Sequence, residues 1–126
     1  MNKKQLFTIE FPVRCSPTIL YNFIATPAGL QEWFADKVDE WEDVYSFTWN
    51  DSVEKAKVLE KENEKFIRLR WLTSPKEEYF ELRIDKSEIS NQTVLVINDF
   101  AEKKDIKDQS QLWEYQIKDL FHRIGS

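Results

Sequence analysis

Apolar residues recur along this chain with two different periods, and the switch between them predicts an order of elements. Phe7, Ile9, Phe11 and Val13 alternate with Thr8 and Glu10, which predicts a first strand over residues 5–13. Ser16-Pro17 follows, a side-chain cap and a ring that fits the first helical position. Ile19, Leu20, Phe23 and Ile24 then recur at helical spacing. Thr26-Pro27 repeats the start signal, and Leu30, Trp33 and Phe34 supply the apolar face of a second short helix. Helices this short are marginal alone and must pack on something larger.

The period then returns to two. Residues 36–43 form an acidic segment interrupted by Val38 and Trp41 and read as a loop. Tyr45, Phe47 and Trp49 alternate with Ser46 and Thr48, and Asn50-Asp51 makes a turn. Residues 53–61 form a charged strand whose register the pattern leaves open. After the turn at residues 62–64, Ile67, Leu69 and Trp71 share one strand face, with Arg68 and Arg70 opposite. Phe80, Leu82 and Ile84 share the next, opposite Glu81, Arg83 and Asp85. Residues 93–100 are apolar in both phases and read as a central or covered strand, its inward phase open. A polar linker over 102–109 precedes a helical run from Asp108 to Ile124, with Leu112, Trp113, Ile117, Leu120, Phe121 and Ile124 in one stripe.

Consecutive strands joined by short turns favour antiparallel pairing. About six or seven such strands twist and curl, and the hollow of a curled sheet needs an apolar filler. The long terminal helix is the one element able to fill it. The pattern therefore predicts an α+β helix-grip fold: a curved antiparallel sheet wrapped on a long C-terminal helix, with two short helices after the first strand. A length of 126 residues fits one domain spanning 1–126.

Composition narrows the function. The formal net charge of −5 argues against a nucleic-acid surface or docking on anionic lipid. A single Cys excludes an intrachain disulfide and fits a reducing compartment. The N-terminal MNKKQLFTIEF lacks an apolar stretch of signal-peptide length, and no run approaches the roughly 20 residues of a membrane span, so the cytoplasm is the expected location. Five Trp, four Tyr and nine Phe bring large area per side chain to the core. Only two Gly are present, so tight turns with positive φ must fall on Asn and Asp.

The strand, then SPTILYNFIATPAGLQEWFAD, the strand series, LVINDF, a polar linker and a Trp-containing last helix together resemble the START-like, or SRPBCC, superfamily. Within it the chain is most similar to the branch related to the activator of the ninety-kilodalton heat-shock chaperone ATPase. The resemblance covers essentially the whole chain. It departs from the branch where glycines after the second strand and before the fourth are replaced by polar residues such as Asp43 and Asn50. The resemblance implies a cavity between sheet and terminal helix. Members bind lipids, sterols, polyketides or plant hormones, act as cyclases or dehydratases, or serve as co-chaperones in stress responses; the fold alone does not choose.

The candidate cavity lining is Trp33, Phe34, Tyr45, Phe47, Trp49, Leu69, Trp71, Phe80, Leu82, Trp113, Gln116, Ile117 and Phe121. These side chains either surround an apolar ligand or fill the hollow themselves. Tyr45, Asn98 or Asp99, and Gln116 are the polar groups placed to orient a ligand or brace the core. No catalytic set emerges. His122 sits in the last turn, where a cation complements the helix dipole, without an assignable partner. Cys15 precedes a helix start, which favours a thiolate, but it lacks a base and reads as a half-buried structural thiol. Asp36, Asp39, Glu40, Glu42 and Asp43 lack the spacing of a calcium loop and read as a solvated segment or a docking surface for a basic partner. No metal and no cofactor are expected.

Three functions follow in order. The first is non-catalytic binding of an apolar small molecule, lipid-like or aromatic, in the cavity. The second is a protein-interaction module, as a monomer or homodimer. The third is a cyclase- or dehydratase-like enzyme.

Overall fold

Ser16 and Thr26 both start helices, and each does so through its own hydroxyl. In a computed structural model, which describes residues 3–125, Ser16 Oγ accepts from the Ile19 N–H at 3.2 Å and Thr26 Oγ1 accepts from the Gly29 N–H at 2.9 Å. Helices α1 (Pro17–Ala25) and α2 (Pro27–Leu30) follow from these caps. A Cβ at Gly29 would run into the carbonyl oxygen of Asn22, so the close stacking of α2 on the end of α1 requires glycine there.

Seven strands form one antiparallel sheet: β1 (Lys4–Val13), β2 (Lys37–Trp41), β3 (Val44–Trp49), β4 (Ser52–Glu62), β5 (Phe66–Trp71), β6 (Phe80–Lys86) and β7 (Thr93–Glu102). Their order is β1-β7-β6-β5-β4-β3-β2. Each strand from β2 onward pairs with its successor, and β1 returns to lie beside β7, so β1 and β2 are the two edges. Helix α3 (Ile106–Ile124) crosses the concave face and ends at Gly125, whose φ of 71° closes the last turn with a bond to the Phe121 carbonyl. This is the helix-grip arrangement that the periodicity predicts.

The register fixes which side chains face α3. Phe7 pairs with Asp99, Ile9 with Ile97 and Phe11 with Leu95, so the odd positions of β7 point inward. Ala56 is fully buried between Tyr45 and Trp71, which sets the inward phase of β4; a bulge between Val58 and Glu60 then breaks that phase. Leu95, Ile97, Leu69, Leu82, Phe47 and Ile117 are all excluded from solvent. Each such side chain stabilises the fold by about 1.5–3 kcal/mol relative to an exposed one.

Four details differ from the sequence reading. The acidic segment is mostly strand: residues 37–41 form edge strand β2, because Val38 packs inward opposite Phe47 and outweighs the surrounding charge. The linker is shorter, with a 3₁₀ turn at Lys103–Asp105 leading directly into α3. Leu112, expected in the buried stripe, is 59 % exposed, since the burying face of α3 is set by Trp113, Ile117 and Leu120. The positive-φ turns fall on Asn50 and Asn91 as expected, but also on Glu42 and Glu64 rather than on an aspartate.

The convex face carries a charged network. Glu81, 2 % exposed, accepts from Arg68 Nη2 at 2.8 Å, Arg83 Nε at 3.1 Å and Asn98 Nδ2 at 3.0 Å. Asn98 in turn accepts from the Thr8 hydroxyl at 2.6 Å, so the network ties β5, β6, β7 and β1. Arg68 and Arg83 lie over the rings of Tyr79 and Phe66. Arg68 and Glu81 stand directly opposite each other in the β5–β6 register, which brings the pair together across the sheet.

Candidate ligand-binding site

The hollow between sheet and α3 is filled around one ring. Phe34, delivered by the turn after α2, meets Trp33, Phe47, Trp49, Phe80 and Trp113 at centroid distances of 5.2–6.4 Å. Trp71 extends the cluster by stacking on Phe80 at 4.8 Å and meeting Phe47 edge-on at 5.5 Å. Each such pair contributes about 0.5–1.5 kcal/mol beyond its area. Tyr45, Leu69, Leu82 and Ile117 complete the buried floor. Phe121 is separate and packs edge-on against Phe11 of β1.

Four polar side chains of the cluster are held by backbone carbonyls. Trp33 Nε1 donates to the Phe23 carbonyl and Trp49 Nε1 to the Phe34 carbonyl, both at 2.8 Å. Gln116 Nε2 reaches the same Phe34 carbonyl at 3.3 Å. The Tyr45 hydroxyl donates to the Ala25 carbonyl at 2.8 Å. Its pKa is pushed up to about 12, first by burial and then by the negative charges of Glu40 and Asp43 and by Tyr21.

Two clefts flank the filled centre. The larger, about 730 Å³, is an open groove between the Gln31–Asp36 segment and the C-terminal half of α3. Trp33, Phe34, Trp49 and Gln116 line it, joined by Tyr115, His122 and Arg123, which the sequence reading did not place at the cavity. The smaller, about 230 Å³, lies at the other end of α3, where Trp71 meets Asp99 and the start of β1.

A family model for the START-like superfamily domain matches residues 1–126. The chain belongs to the START-like superfamily. No curated protein matches it. Among solved structures, a Bacteroides fragilis protein determined by NMR in solution is 31 % identical over 98 % of this chain and 93 % of its own, with a TM-score of 0.69. The Aha1 dimer from Colwellia psychrerythraea is 17 % identical, covers 92 % of each chain and has a TM-score of 0.75. A protein of the dynemicin biosynthetic locus is 12 % identical over 96 % of this chain and 47 % of its own, with a TM-score of 0.79. The last two likenesses concern the fold.

In this START-like domain Asp99 occupies the concave face beside α3. Its Oδ2 accepts the Trp113 indole N–H at 2.9 Å, and its Oδ1 accepts the Phe100 N–H at 2.7 Å. Burial raises its pKa, outweighing these two bonds. Cys15 is likewise shifted upward by burial despite a hydrogen bond with the Leu20 backbone, which disfavours a reactive thiolate. Among the described residues no three His, Cys, Asp or Glu side chains gather as a metal cluster. Among the described residues no helix is long and apolar enough to cross a membrane.

Proposed function

We propose that this START-like domain binds an apolar small molecule, lipid-like or aromatic, without chemistry, in the groove between the Gln31–Asp36 segment and α3. The observation that carries this reading is convergence. Four candidate lining residues, Trp33, Phe34, Trp49 and Gln116, meet at one groove of about 730 Å³, inside the range of about 300–1,000 Å³ usual for small-molecule sites. Trp33, Phe34 and Trp49 give the groove its apolar floor, while Glu32, Asp36, Asp119 and His122, with Gln116 and Arg123 already bonded to backbone carbonyls, make its rim polar. We assign the ligand to the exposed edge of this ring cluster rather than to an enclosed hollow between sheet and helix. Native mass spectrometry of protein purified from its own cells is expected to show a retained organic mass. That mass is lost in Trp49→Ala. Recovery of only the bare chain, or of the same mass on the folded variant, opposes the reading.

A second reading, a protein-interaction module, is favoured by one observation. Trp41 lies 78 % exposed on edge strand β2, beside Asp39, Glu42 and Asp43. A large exposed ring next to acidic groups suits a basic partner segment. Pull-down with Trp41→Ser is expected to lose the partner; unchanged recovery removes this surface.

A further inference from the structure

We propose that the cleft at the N-terminal end of α3 binds a small organic cation, a primary amine or ammonium carried on an aromatic or short alkyl body. The cleft holds about 230 Å³, room for a fragment of roughly a dozen heavy atoms. Trp71, Tyr79 and Phe100 give it aromatic walls, one face of Tyr79 being covered by Arg68; the remaining ring surface attracts cations and accepts a flat apolar body equally well.

Its charge is one-sided. Asp99, Glu78, Glu102 and Asp105 line it against the single cation Lys4. Lys4 is engaged with Glu78 at 3.5 Å, and Glu102 is engaged with Lys104 at 3.6 Å. Among the described residues neither Asp99 nor Asp105 has a salt-bridge partner. Asp99 is the deeper of the two. It is fixed in place by Trp113 and Phe100, so its position costs a ligand no reorganisation. Among the described residues its hydrogen-bond donors are the neutral N–H groups of Trp113 and Phe100, and burial raises its pKa, with the Lys4 charge opposing and the Glu78 charge adding to the rise. An ammonium in the cleft adds to the partial countercharge that Lys4 gives Asp99, and its body stacks on Trp71. A carboxylate or phosphate ligand would meet the net negative charge of the lining, and a neutral one would gain only the ring contacts.

The cleft lies at the opposite end of α3 from the groove assigned above, so the two sites can be tested separately. The probes are phenethylamine, its neutral counterpart phenylethanol and the anionic phenylpropionate, titrated into isotopically labelled protein near neutral pH. The readout is the indole N–H resonances of Trp71 and Trp113. The amine is expected to produce a saturable shift at these two indoles, at least tenfold tighter than the alcohol, with no response to the acid. Asp99→Asn keeps an acceptor for Trp113 and is expected to weaken the amine at least tenfold. Asp105→Asn, outside the core, is expected to weaken it severalfold and serves if the first variant folds poorly. Equal binding of amine and alcohol, unchanged affinity in both variants, or no saturable response to the amine overturns the assignment.

Discussion

Trp113 donates its indole N–H to Asp99 at 2.9 Å, so the long helix is fastened to the last strand by a ring and a carboxylate facing each other across the concave side. Replacing Trp113 with Phe keeps most of the ring packing but leaves Asp99 with one neutral donor fewer in a buried setting. The expected loss is about 1–3 kcal/mol, read from urea unfolding. Asp99→Asn retains an acceptor for the indole and removes a desolvated charge, but it turns an N–H donor toward the Phe100 N–H, so it is expected to cost less than about 1 kcal/mol at pH 7. A loss in Asp99→Asn as large as in Trp113→Phe contradicts this account of the pair.

Two desolvated carboxylates, half-buried Asp99 and buried Glu81, give opposite pH dependences. Burial holds Asp99 above its ordinary 3.8. The folded state therefore gains stability as pH falls through the raised pKa, and the gain is complete below 3.8, where the unfolded chain protonates as well. Burial also pushes Glu81 up, but hydrogen bonds from Arg83, Arg68 and Asn98 and the Arg83 charge outweigh it, leaving Glu81 below its ordinary 4.5. Its contribution is present above 4.5 and is lost as pH falls through the lowered value. The stability difference between wild type and Asp99→Asn should thus grow in favour of wild type on acidification, while that between wild type and Glu81→Gln shrinks. Parallel curves contradict the assignment.

Glu81→Ala should cost about 2–4 kcal/mol, since it strands Arg68 and Arg83 and unties Asn98 from the network. The lower part of that range is expected, because the two guanidinium side chains remain 34 % and 38 % exposed and recover some hydration. Denaturant midpoints decide this, and a change within experimental scatter would mean that the network is ornamental to stability.

Backbone conformation offers a paired test. Gly29→Ala places a methyl against the Asn22 carbonyl, a backbone group that cannot move aside without parting α2 from α1. A loss of about 2 kcal/mol or more is expected. Glu42 holds φ at 54° in the β2–β3 turn, a region that disfavours residues with a Cβ. Glu42→Gly is expected to be neutral or to gain about 0.5 kcal/mol, the strain relieved being partly offset by entropy in the unfolded chain. Thermal unfolding should show a clearly lowered midpoint for Gly29→Ala and a level or raised one for Glu42→Gly.

Much of this architecture was legible because the periods were clean. Phe7 to Val13, Tyr45 to Trp49 and Phe80 to Ile84 alternate without interruption, and Ser16-Pro17 and Thr26-Pro27 carry their caps in the sequence itself. Strand β2 was hidden because a five-residue edge strand with a single buried side chain, Val38, looks like a charged loop. The phase of β7 was hidden because both of its faces are apolar; only pairing with β1 shows that Asp99 points inward and Asn98 outward. The ring cluster was legible as a set but not as a filled volume. That Phe34 plugs the centre depends on where α2 delivers it, a tertiary fact with no local signal. Tyr115, His122 and Arg123 reach the groove from the polar side of α3, where a stripe of apolar residues gives no reason to look.

The central claim, that a small apolar molecule seats in the groove beside Trp33 and Trp49, is tested most directly by following all five tryptophan indole N–H resonances during titration with naphthol and with decanol. The account predicts saturable shifts at Trp33 and Trp49, together with the Gln116 side-chain amide, and none at the exposed Trp41. Shifts confined to Trp41, or no saturable shift at any indole with either probe, would contradict it.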